Sequence, residues 1–312
     1  MNLPTLRQLR YLKLLAEHGS FSRAAEAAHV TQPTLSAGIQ ELERTLGAPV
    51  VDRGRGGLVL TQVGEEAVRR GAAILAQTED LVQAARSAGR PLTGRFRLGV
   101  IPTIAPFVLP RALPELRRLY PELKLLLRED LTARLVAALK GGALDAALIA
   151  LPYDTAGLEH ARVGDDPLLA AFPANHPLTA EPRVAAERLR DQELILLEDG
   201  HCLRDHALAG CGLDSPRGED AVAATSLHTL VQMVGSGLGI SFLPAMAVEA
   251  GVADVAPVTV RPLSDPEARR EIVVAWRAGS SRGVEGRLLA EALAAVMPPV
   301  DGSTAPGRRR SG

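Results

Sequence analysis

The sequence changes character near residue 90, and this change requires the chain to fold in at least two parts. Before it, apolar residues recur at helical spacing, and after it, short apolar runs typical of strands alternate with helical stretches. The segment between the two parts, residues 89–94, reads Gly-Arg-Pro-Leu-Thr-Gly and has the composition of a linker. With 312 residues, two or three domains are expected.

The first part predicts three helices in succession. The first has its apolar face within residues 9–16, and a short second helix is predicted over residues 23–28 with Ser22 as its N-cap. Thr31 can cap the third helix, which ends at Gly47. The apolar face of this third helix is formed by Leu35, Ile39, Leu42 and Leu46.

A wing and a long helix follow the three helices. Two short extended pieces, residues 50–52 and 58–60, flank a glycine- and arginine-rich turn in the manner of a hairpin. Thr61 can then cap a helix over residues 62–87, whose seam positions alternate by four and three. These positions are Gly64, Val68, Gly71, Leu75, Thr78, Val82 and Ala85. The seam predicts self-association, and the alternative is a helix that packs on its own domain.

The second part predicts a parallel sheet covered by helices on both faces. Helices are expected over residues 109–119 and 131–140. The predicted strands are residues 96–100, 124–127, 146–150, 168–172, 194–197, 240–243 and 272–276.

Composition excludes several classes of function. No apolar run reaches the ~18 residues of a membrane span, and the first residues do not resemble a secretory signal, so a cytoplasmic location without membrane contact is expected. Aromatic residues make up only 3% of the chain, which disfavours nucleic-acid binding by base stacking. The net charge of −1 means that any DNA contact must come from a local surface. Nothing in the sequence indicates a cofactor.

Residues 21–36 predict a DNA-reading helix-turn-helix. The pairs Ala24-Ala25 and Ala27-Ala28 allow two helices to cross closely, and short polar side chains at the start of the second helix suit base edges and phosphates. Residues 1–90 hold 11 Lys and Arg against nine Asp and Glu, a modest excess, and a generic helical hairpin is the alternative. The candidate DNA-contacting residues are Arg23, Thr31, Gln32, Pro33, Thr34 and Ser36, with Arg53 and Arg55 in the wing.

The chain contains two cysteines, Cys202 and Cys211. If both lie on one helix, nine residues separate them by about 13.5 Å and turn them by roughly 900°, which places them on opposite faces. Because a disulfide needs Cα atoms within about 7 Å, the two can be joined only if the helix unwinds. Such a bond would therefore force a local change of conformation.

Cys202 is predicted to be the more reactive thiol. It is expected at a helix start, where the helix dipole lowers a thiol pKa, and His201, Arg204 and His206 can add positive charge. Cys211 lies in an apolar, glycine-rich setting suited to a resolving partner. Spacing alone favours a different interpretation, two inert buried thiols, and leaves open a zinc site formed by His201, Cys202, His206 and Cys211.

The N-terminal motifs resemble the winged helix-turn-helix of LysR-type regulators. The shared elements are Ala24-Ala25, Gln32-Pro33-Thr34-Leu35-Ser36, Arg53 and Thr61-Gln62-Val63-Gly64. Residues 235–240 and the pair Leu243-Pro244 are similar to the family's second effector lobe, so the resemblance extends to about Pro299. One departure is Asp52, which replaces the more usual acidic-aromatic entry to the wing.

The resemblance implies an α/β protein with an N-terminal winged helix-turn-helix, a long linker helix and a two-lobed, doubly wound effector domain like that of periplasmic binding proteins. The expected boundaries are 1–61 for the DNA-binding domain, 62–90 for the linker and dimerisation helix, and 91–300 for the regulatory domain. Lobe I is expected at about 91–163 and 268–300, lobe II at about 164–267, and a disordered tail at 301–312. The implied partners are double-stranded promoter DNA, a second dimer in a dimer of dimers, and RNA polymerase.

Residues 197–205, followed by Cys211, resemble the redox segment of the peroxide-sensing members of this family. The resemblance implies that hydrogen peroxide oxidises Cys202 to a sulfenic acid, which Cys211 then captures. It also implies that Thr103 and Thr132 place hydroxyls beside the peroxide, that Arg270 holds positive charge near the thiolate, and that His201 and Asp205 order the pocket. The aromatic-poor residues 212–216 are expected to leave Cys211 more exposed when it is reduced.

Two other functions remain open at this point. A LysR-type regulator could bind a small metabolite between its two effector lobes, with both cysteines as bystanders. An enzyme, a thiol peroxidase that turns over, is the third class. The DNA-binding head disfavours the enzyme, because a sensor that is oxidised once needs no efficient turnover.

Overall fold

The computed structural model describes residues 3–52, 58–86, 90–212 and 223–297. The chain divides into two compact units. The first comprises residues 1–89 with 138–143 and 279–281, and the second comprises the remainder. Within the described ranges, no helix combines the length and the apolar character that crossing a membrane demands.

The first unit begins with three helices: α1 (Leu6–His18), α2 (Phe21–Ala27) and α3 (Gln32–Leu46). Each of the two longer helices begins at a threonine cap, with Thr5 in a capping box and Thr31 accepting from the amide of Thr34. Both end at glycines in the left-handed conformation, as expected for a helix C-terminus. Their shared core is formed by the fully buried Leu12, Leu15, Leu35, Ile39 and Leu42.

The second helix differs from its prediction at its start. It begins at Phe21 with Ser20 as its N-cap, so Ser22 lies inside the helix rather than capping it. The Ser22 hydroxyl instead donates to the side-chain oxygen of Gln32, 3.2 Å away. Ala24 and Ala25 are buried against the neighbouring helices, which confirms the role expected of the alanine pair.

Both strands of the predicted wing are present, and each begins one residue later than predicted. Strands β1 (Val51–Asp52) and β2 (Val59–Leu60) form an antiparallel pair. The turn between them, with Arg53 and Arg55, lies outside the described residues.

Helix α4 (Gln62–Arg86) shows that part of the predicted seam serves the fold of its own unit. Gly71 lies against the side chain of Leu9, and Val68 and Leu75 pack on the core of the three helices. The alternative interpretation is therefore correct for the first half of the seam. Exposed apolar side chains remain further along and beside it, at Ile74, Leu81 and Val82.

The second unit starts with three parallel strands, β3 (Gly94–Val100), β4 (Leu123–Glu129) and β5 (Ala146–Leu151). Helix α5 (Ala105–Leu119) joins β3 to β4, and α6 (Thr132–Lys140) joins β4 to β5. This is the strand–helix alternation that the sequence predicts. Helix α5 begins four residues earlier than predicted, since Pro106 fits its first turn and the helix accommodates two further prolines.

The remaining strands make the sheet mixed rather than parallel. Strand β6 (Leu158–Pro173) runs antiparallel to β11 (Arg269–Arg277), which itself runs antiparallel to β5. From Leu168 onward, β6 pairs instead with β9 (Ser241–Pro244) and β10 (Val258–Pro262), again antiparallel. One 16-residue strand thus belongs to both halves of the sheet. The predicted α/β class is confirmed, but the expectation of an all-parallel sheet is wrong, while the lobe boundaries stay a prediction.

Smaller elements complete the second half of this unit. The parallel pair β7 (Leu196–Leu197) and β8 (Ala223–Ala224) precedes α7 (Cys202–Cys211) and α8 (Leu227–Gly235), respectively. Helix α9 (Ala245–Glu249) follows β9, and α10 (Gly283–Ala294) closes the described chain. Short 3-10 turns lie at Pro177–Ala180, Ala186–Leu189 and Val252–Val255.

Gly64 provides a test of how the first unit is packed. Its amide donates to the Thr61 hydroxyl at 3.0 Å, and a Cβ at Gly64 would lie 2.0 Å from the carbonyl oxygen of Val50. Because that contact is with backbone, Gly64→Ala is expected to lower the free energy of unfolding of this unit by about 1–3 kcal/mol. Scanning calorimetry measures this.

Gly71→Ala in the same helix is the matched control. Its Cβ would approach only the flexible end of the Leu9 side chain, at 3.3 Å, and alanine gains helix propensity. It is expected to leave stability unchanged or to raise it slightly. Equal destabilisation by both substitutions would contradict the packing described for Gly64.

Candidate functional site

The two cysteines mark the two ends of α7. Cys202 is the first residue of the helix and Cys211 the last, and Gly212 ends the helix in the left-handed conformation with φ 58°. Both thiols are free and buried. The single-helix arrangement considered from the sequence is confirmed. Nine rises of about 1.5 Å then separate the cysteines by about 13.5 Å, well beyond the reach of a disulfide.

Among the groups that favour the Cys202 thiolate, the guanidinium of Arg270 on β11 has the largest effect. Its guanidinium is fully buried and donates to Asp166 on β6, with its Nε 2.9 Å and its Nη2 2.8 Å from the same carboxylate oxygen, Oδ2. It also donates through Nη1 to the Thr103 hydroxyl at 2.7 Å, and through Nη2 to the Thr103 carbonyl at 2.9 Å. Thr103 lies just beyond the end of β3, so three separate segments fix the position of this charge.

Asp166 was not predicted as a site residue. Burial raises its pKa, whereas Arg270 and the backbone amides of Met246 and Ala245 favour the charged carboxylate. The Met246 amide donates to the second oxygen at 3.0 Å, so the carboxylate is held on both sides. In the sequence, the only indication of a role for Asp166 is that it precedes an apolar strand segment. Its partner Arg270 lies 104 positions away, so the pair cannot be recognised from neighbouring residues.

The balance of forces on the Cys202 thiol differs from the prediction. Burial raises the thiol pKa, and Arg270, the Thr132 hydroxyl and the helix amide of Cys202 lower it only in part. The expectation of a lowered pKa at the helix start is therefore wrong, because desolvation outweighs the favourable contacts. The thiol is therefore mostly protonated, and the buried Arg270 guanidinium stabilises the thiolate that does form.

The predicted contribution of the neighbouring histidines is also wrong. Burial lowers the pKa of both His201 and His206, so both are neutral rather than cationic near pH 7. Arg204 pairs with Asp199 at 2.8 Å. Positive charge at the thiol comes instead from Arg270, which contributes from a strand far along the sequence.

Thr132 faces the thiol from another direction. It is the first residue of α6, 1% exposed, and its hydroxyl acts on Cys202 to favour the thiolate. Across the part of the chain that the structure describes, this hydroxyl has no hydrogen-bond partner within bonding distance. A buried, unpartnered hydroxyl beside a thiol is ready to bond to a small polar molecule that enters.

The remaining predicted residues lie at different depths. His201 precedes α7 and, with Thr103, Leu131 and Ser226, lines a cleft of about 500 Å³. Asp205 is exposed, and its charge raises the pKa of Cys202. The structure thus brings Cys202, Thr103, Thr132 and Arg270 together and places Asp205 at the surface.

Cys211 is more buried than expected. It is 4% exposed and belongs to a core that includes Leu203 and Ala207, although residues 213–222 after it lie outside the description. Burial, with a smaller contribution from Asp265, raises the pKa of Cys211 to about 12. The expectation of an exposed reduced Cys211 is wrong. In this position the Cys211 thiol is protonated at neutral pH.

Most of the candidate DNA-contacting residues that the structure describes lie at the start of α3, and Arg23 lies in α2. Arg23, Thr31, Gln32, Pro33 and Thr34 are exposed, and Ser36 is half-buried. The hydroxyls of Thr31 and Thr34 lie 2.8 Å apart, so this end of the helix presents a row of polar groups to solvent. Among the residues of the four described ranges, His, Cys, Asp and Glu side chains form no cluster of three or more that could hold a metal ion.

Comparison with known families agrees with this arrangement. Residues 6–65 match the bacterial regulatory helix-turn-helix proteins of the lysR family, and residues 89–298 match the LysR substrate binding domain. The chain belongs to the LysR family. The resemblance to LysR-type regulators is therefore confirmed. The polar start of α3 lies in the matched helix-turn-helix region, and the cysteine helix lies in the matched substrate binding domain.

Relatives within the LysR family carry two kinds of name. The regulator EstR of Acinetobacter baylyi is 43% identical over 248 residues, which cover 79% of this chain and 81% of EstR. The dual regulator OxyR of Escherichia coli K12 is 38% identical over 293 residues, covering 94% of this chain and 95% of that protein. A full-length OxyR variant from Pseudomonas aeruginosa has a similar structure, with TM-score 0.75, 36% identity and coverage of 94% and 98%.

Replacing Thr132 by valine separates its effect on the thiol from any effect on the fold. Thr132→Val keeps the shape and removes a buried hydroxyl that has no hydrogen-bond partner in the described part of the chain and that favours the Cys202 thiolate, so stability is expected to stay unchanged. The Cys202 pKa is expected to rise, and alkylation of Cys202 at neutral pH to slow about ten-fold, the size of one hydrogen bond to a charged group. Alkylation rates against pH in a Cys211→Ser background measure this.

Thr103→Val serves as the comparison. It removes the acceptor of Arg270, leaves a buried guanidinium N–H unpaired, and is expected to cost about 1–3 kcal/mol of stability. If Thr132→Val destabilises the protein as much as Thr103→Val, or leaves the alkylation profile unchanged, the position assigned to Thr132 is incorrect.

Proposed function

We propose that this LysR-family protein is a DNA-binding transcription regulator that senses hydrogen peroxide through Cys202 and Cys211. The observation that carries the proposal is the position of the two thiols at opposite ends of α7, with the first beside Arg270 and Thr132. Relatives named as hydrogen peroxide-inducible genes activators support it, including one from Dickeya chrysanthemi that is 37% identical over 276 residues. The chain acts in the cytoplasm as a regulator and not as an enzyme.

The first chemical step is oxidation of Cys202. Its sulfur attacks one oxygen of hydrogen peroxide, the O–O bond breaks, and the second oxygen leaves as hydroxide that takes up the thiol proton to form water. Cys202 becomes a sulfenic acid. Arg270 and the Thr132 hydroxyl stabilise the thiolate, and buried donors of this kind also stabilise charge on the leaving oxygen.

The second step joins the two cysteines. The Cys211 sulfur attacks the Cys202 sulfur, the S–S bond forms, and the S–O bond breaks to release water. Because the sulfurs belong to opposite ends and faces of α7, the helix must unwind first. The chemical change is thereby converted into a change of backbone conformation, which is what a regulatory switch requires.

The change of conformation in α7 alters how the protein binds DNA. We place the dimer contact on α4, whose exposed Ile74, Leu81 and Val82 supply an apolar surface, and pair two dimers through the regulatory domains. Disulfide formation then alters the packing of the regulatory domains and the spacing of the promoter contacts that control antioxidant genes. RNA polymerase is the partner through which transcription changes. The peroxide-sensing and DNA-contacting roles assigned to single residues are part of this proposal.

One experiment separates this function from metabolite sensing. The reduced protein is treated with stoichiometric peroxide, and both the free thiols and the length of the DNA footprint are measured. Loss of two thiols with a changed footprint is expected. Loss of two thiols with an unchanged footprint contradicts the proposal. Intact thiols, with a footprint that shifts on adding a metabolite, would favour metabolite sensing instead.

The two cysteines are expected to have separable roles. Cys202→Ser abolishes the response, because no sulfenic acid forms. Cys211→Ser leaves Cys202 oxidisable but impairs or prolongs the response, because the disulfide is missing. Trapping of the sulfenic acid, followed by mass spectrometry and footprinting, measures both. A Cys211→Ser protein that behaves as wild type would overturn the resolving role.

The start of α3 is expected to carry sequence recognition. Gln32→Ala removes an exposed amide from the first turn and should weaken binding to the specific site by about 1–3 kcal/mol, with little change in non-specific affinity. Gln40→Ala, the same substitution at an exposed position two turns further along α3, is the control. Equal losses from both would place the base contacts elsewhere. Gel-shift titrations at fixed salt concentration measure the affinities.

A further inference from the structure

His206 lies in the middle of α7. It has no part in the oxidation steps proposed above, and it does not belong to the apolar core on which α7 packs. Its side chain is 3% exposed, and its Nε2 lies 2.8 Å from the carbonyl oxygen of Pro152. A carbonyl only accepts, so Nε2 carries the proton and donates it. The other ring nitrogen, Nδ1, is buried and has no hydrogen-bond partner in the described part of the chain.

This hydrogen bond crosses between distant parts of the second unit. Pro152 directly follows β5, the strand that pairs with β11, and stands 54 positions before His206 in the sequence. His206 is four residues after Cys202 and five before Cys211, so it holds the segment of helix that lies between the two thiols. Residues four apart share one face of a helix, which puts His206 on the same side as Cys202.

Space for movement lies beside this bond. A hollow of about 810 Å³ is lined by Pro152, His206, Ala209 and Gly210, among others. Gly210 also packs closely on residue 268, where an added Cβ would lie 3.3 Å from the Cα of Ala268. The second half of α7 therefore has open volume on the His206 side, and the hydrogen bond to Pro152 is a polar contact that must break before the helix can open there.

We infer that His206 is a positioning residue that holds α7 in its helical, reduced conformation and so sets the rate and the equilibrium of disulfide formation. This inference rests on the proposed function. The reduced protein has the bond from Nε2 to the Pro152 carbonyl, and the opened helix lacks it. Removal of the donor therefore destabilises the reduced ground state relative to both the opened helix and the disulfide.

Two variants isolate the donor from the shape of the side chain. His206→Leu fills the site without a donor, and His206→Gln restores an N–H that can reach the Pro152 carbonyl. With sulfenic acid trapped in parallel, His206→Leu is expected to form the disulfide about five-fold faster than wild type after Cys202 oxidation, as one net buried hydrogen bond predicts. His206→Gln is expected to return the rate to within about two-fold of wild type.

An equilibrium measurement tests the same inference without peroxide. In a glutathione redox buffer, the constant for oxidation of the Cys202–Cys211 pair is expected to rise about five-fold in His206→Leu and to return in His206→Gln. Wild-type values for His206→Leu in both assays overturn the inference, and so does a His206→Gln protein that behaves like His206→Leu. If wild type forms no sulfenic acid, the proposed function fails while the glutathione equilibrium still decides the role of His206.

A measurement on the wild-type protein covers the case in which a variant does not fold. The nitrogen chemical shifts of the His206 ring report its tautomer. In the reduced protein, a proton fixed on Nε2 and a proton-free Nδ1 are expected, and the oxidised protein is expected to lose the hydrogen-bond shift of Nε2. Identical signals in the two states would overturn the inference.

Discussion

The buried ion pair of Arg270 and Asp166 joins segments of the second unit that are far apart in the sequence. Through it, β11 is tied to β6, to Thr103 after β3, and to the first residues of α9. Both charged side chains are fully buried, so loss of either partner would leave an uncompensated charge that costs several kcal/mol. The pair also fixes a cation near Cys202, so stability and reactivity depend on the same contacts.

The reactivity of Cys202 is a compromise between burial and charge. Burial disfavours the thiolate, and Arg270 and Thr132 recover part of that loss. A thiol held in this way stays largely protonated at rest. Burial raises the pKa of Cys211 to about 12, and both its burial and its place at the helix end keep it from reacting before α7 opens.

Local features of this fold could be predicted from the sequence, and long-range ones could not. Thr31 and Gly47 bound a helix because caps act within a few residues. For the cysteines, the sequence indicated a helix start at Cys202, and a single helix that includes Cys211 was an assumption that the structure confirms. By contrast, the antiparallel pairing of β6 with β11 joins residues about 100 positions apart. The sign of the Cys202 pKa shift was missed for the same reason, since segments remote in sequence bury the thiol.

The placement of the cysteines at the two termini of one helix has a further consequence for resetting the switch. A disulfide that forms only after the helix opens forfeits the backbone hydrogen bonds of α7, and the oxidised state retains that deficit as long as the bond persists. Bonds formed against such a deficit are more oxidising and easier to reduce than those of a relaxed structure. Refolding of the ten residues of α7 therefore favours the reduced state. Cellular thiols then reduce the disulfide once the oxidant has been consumed, so the oxidised state is short-lived.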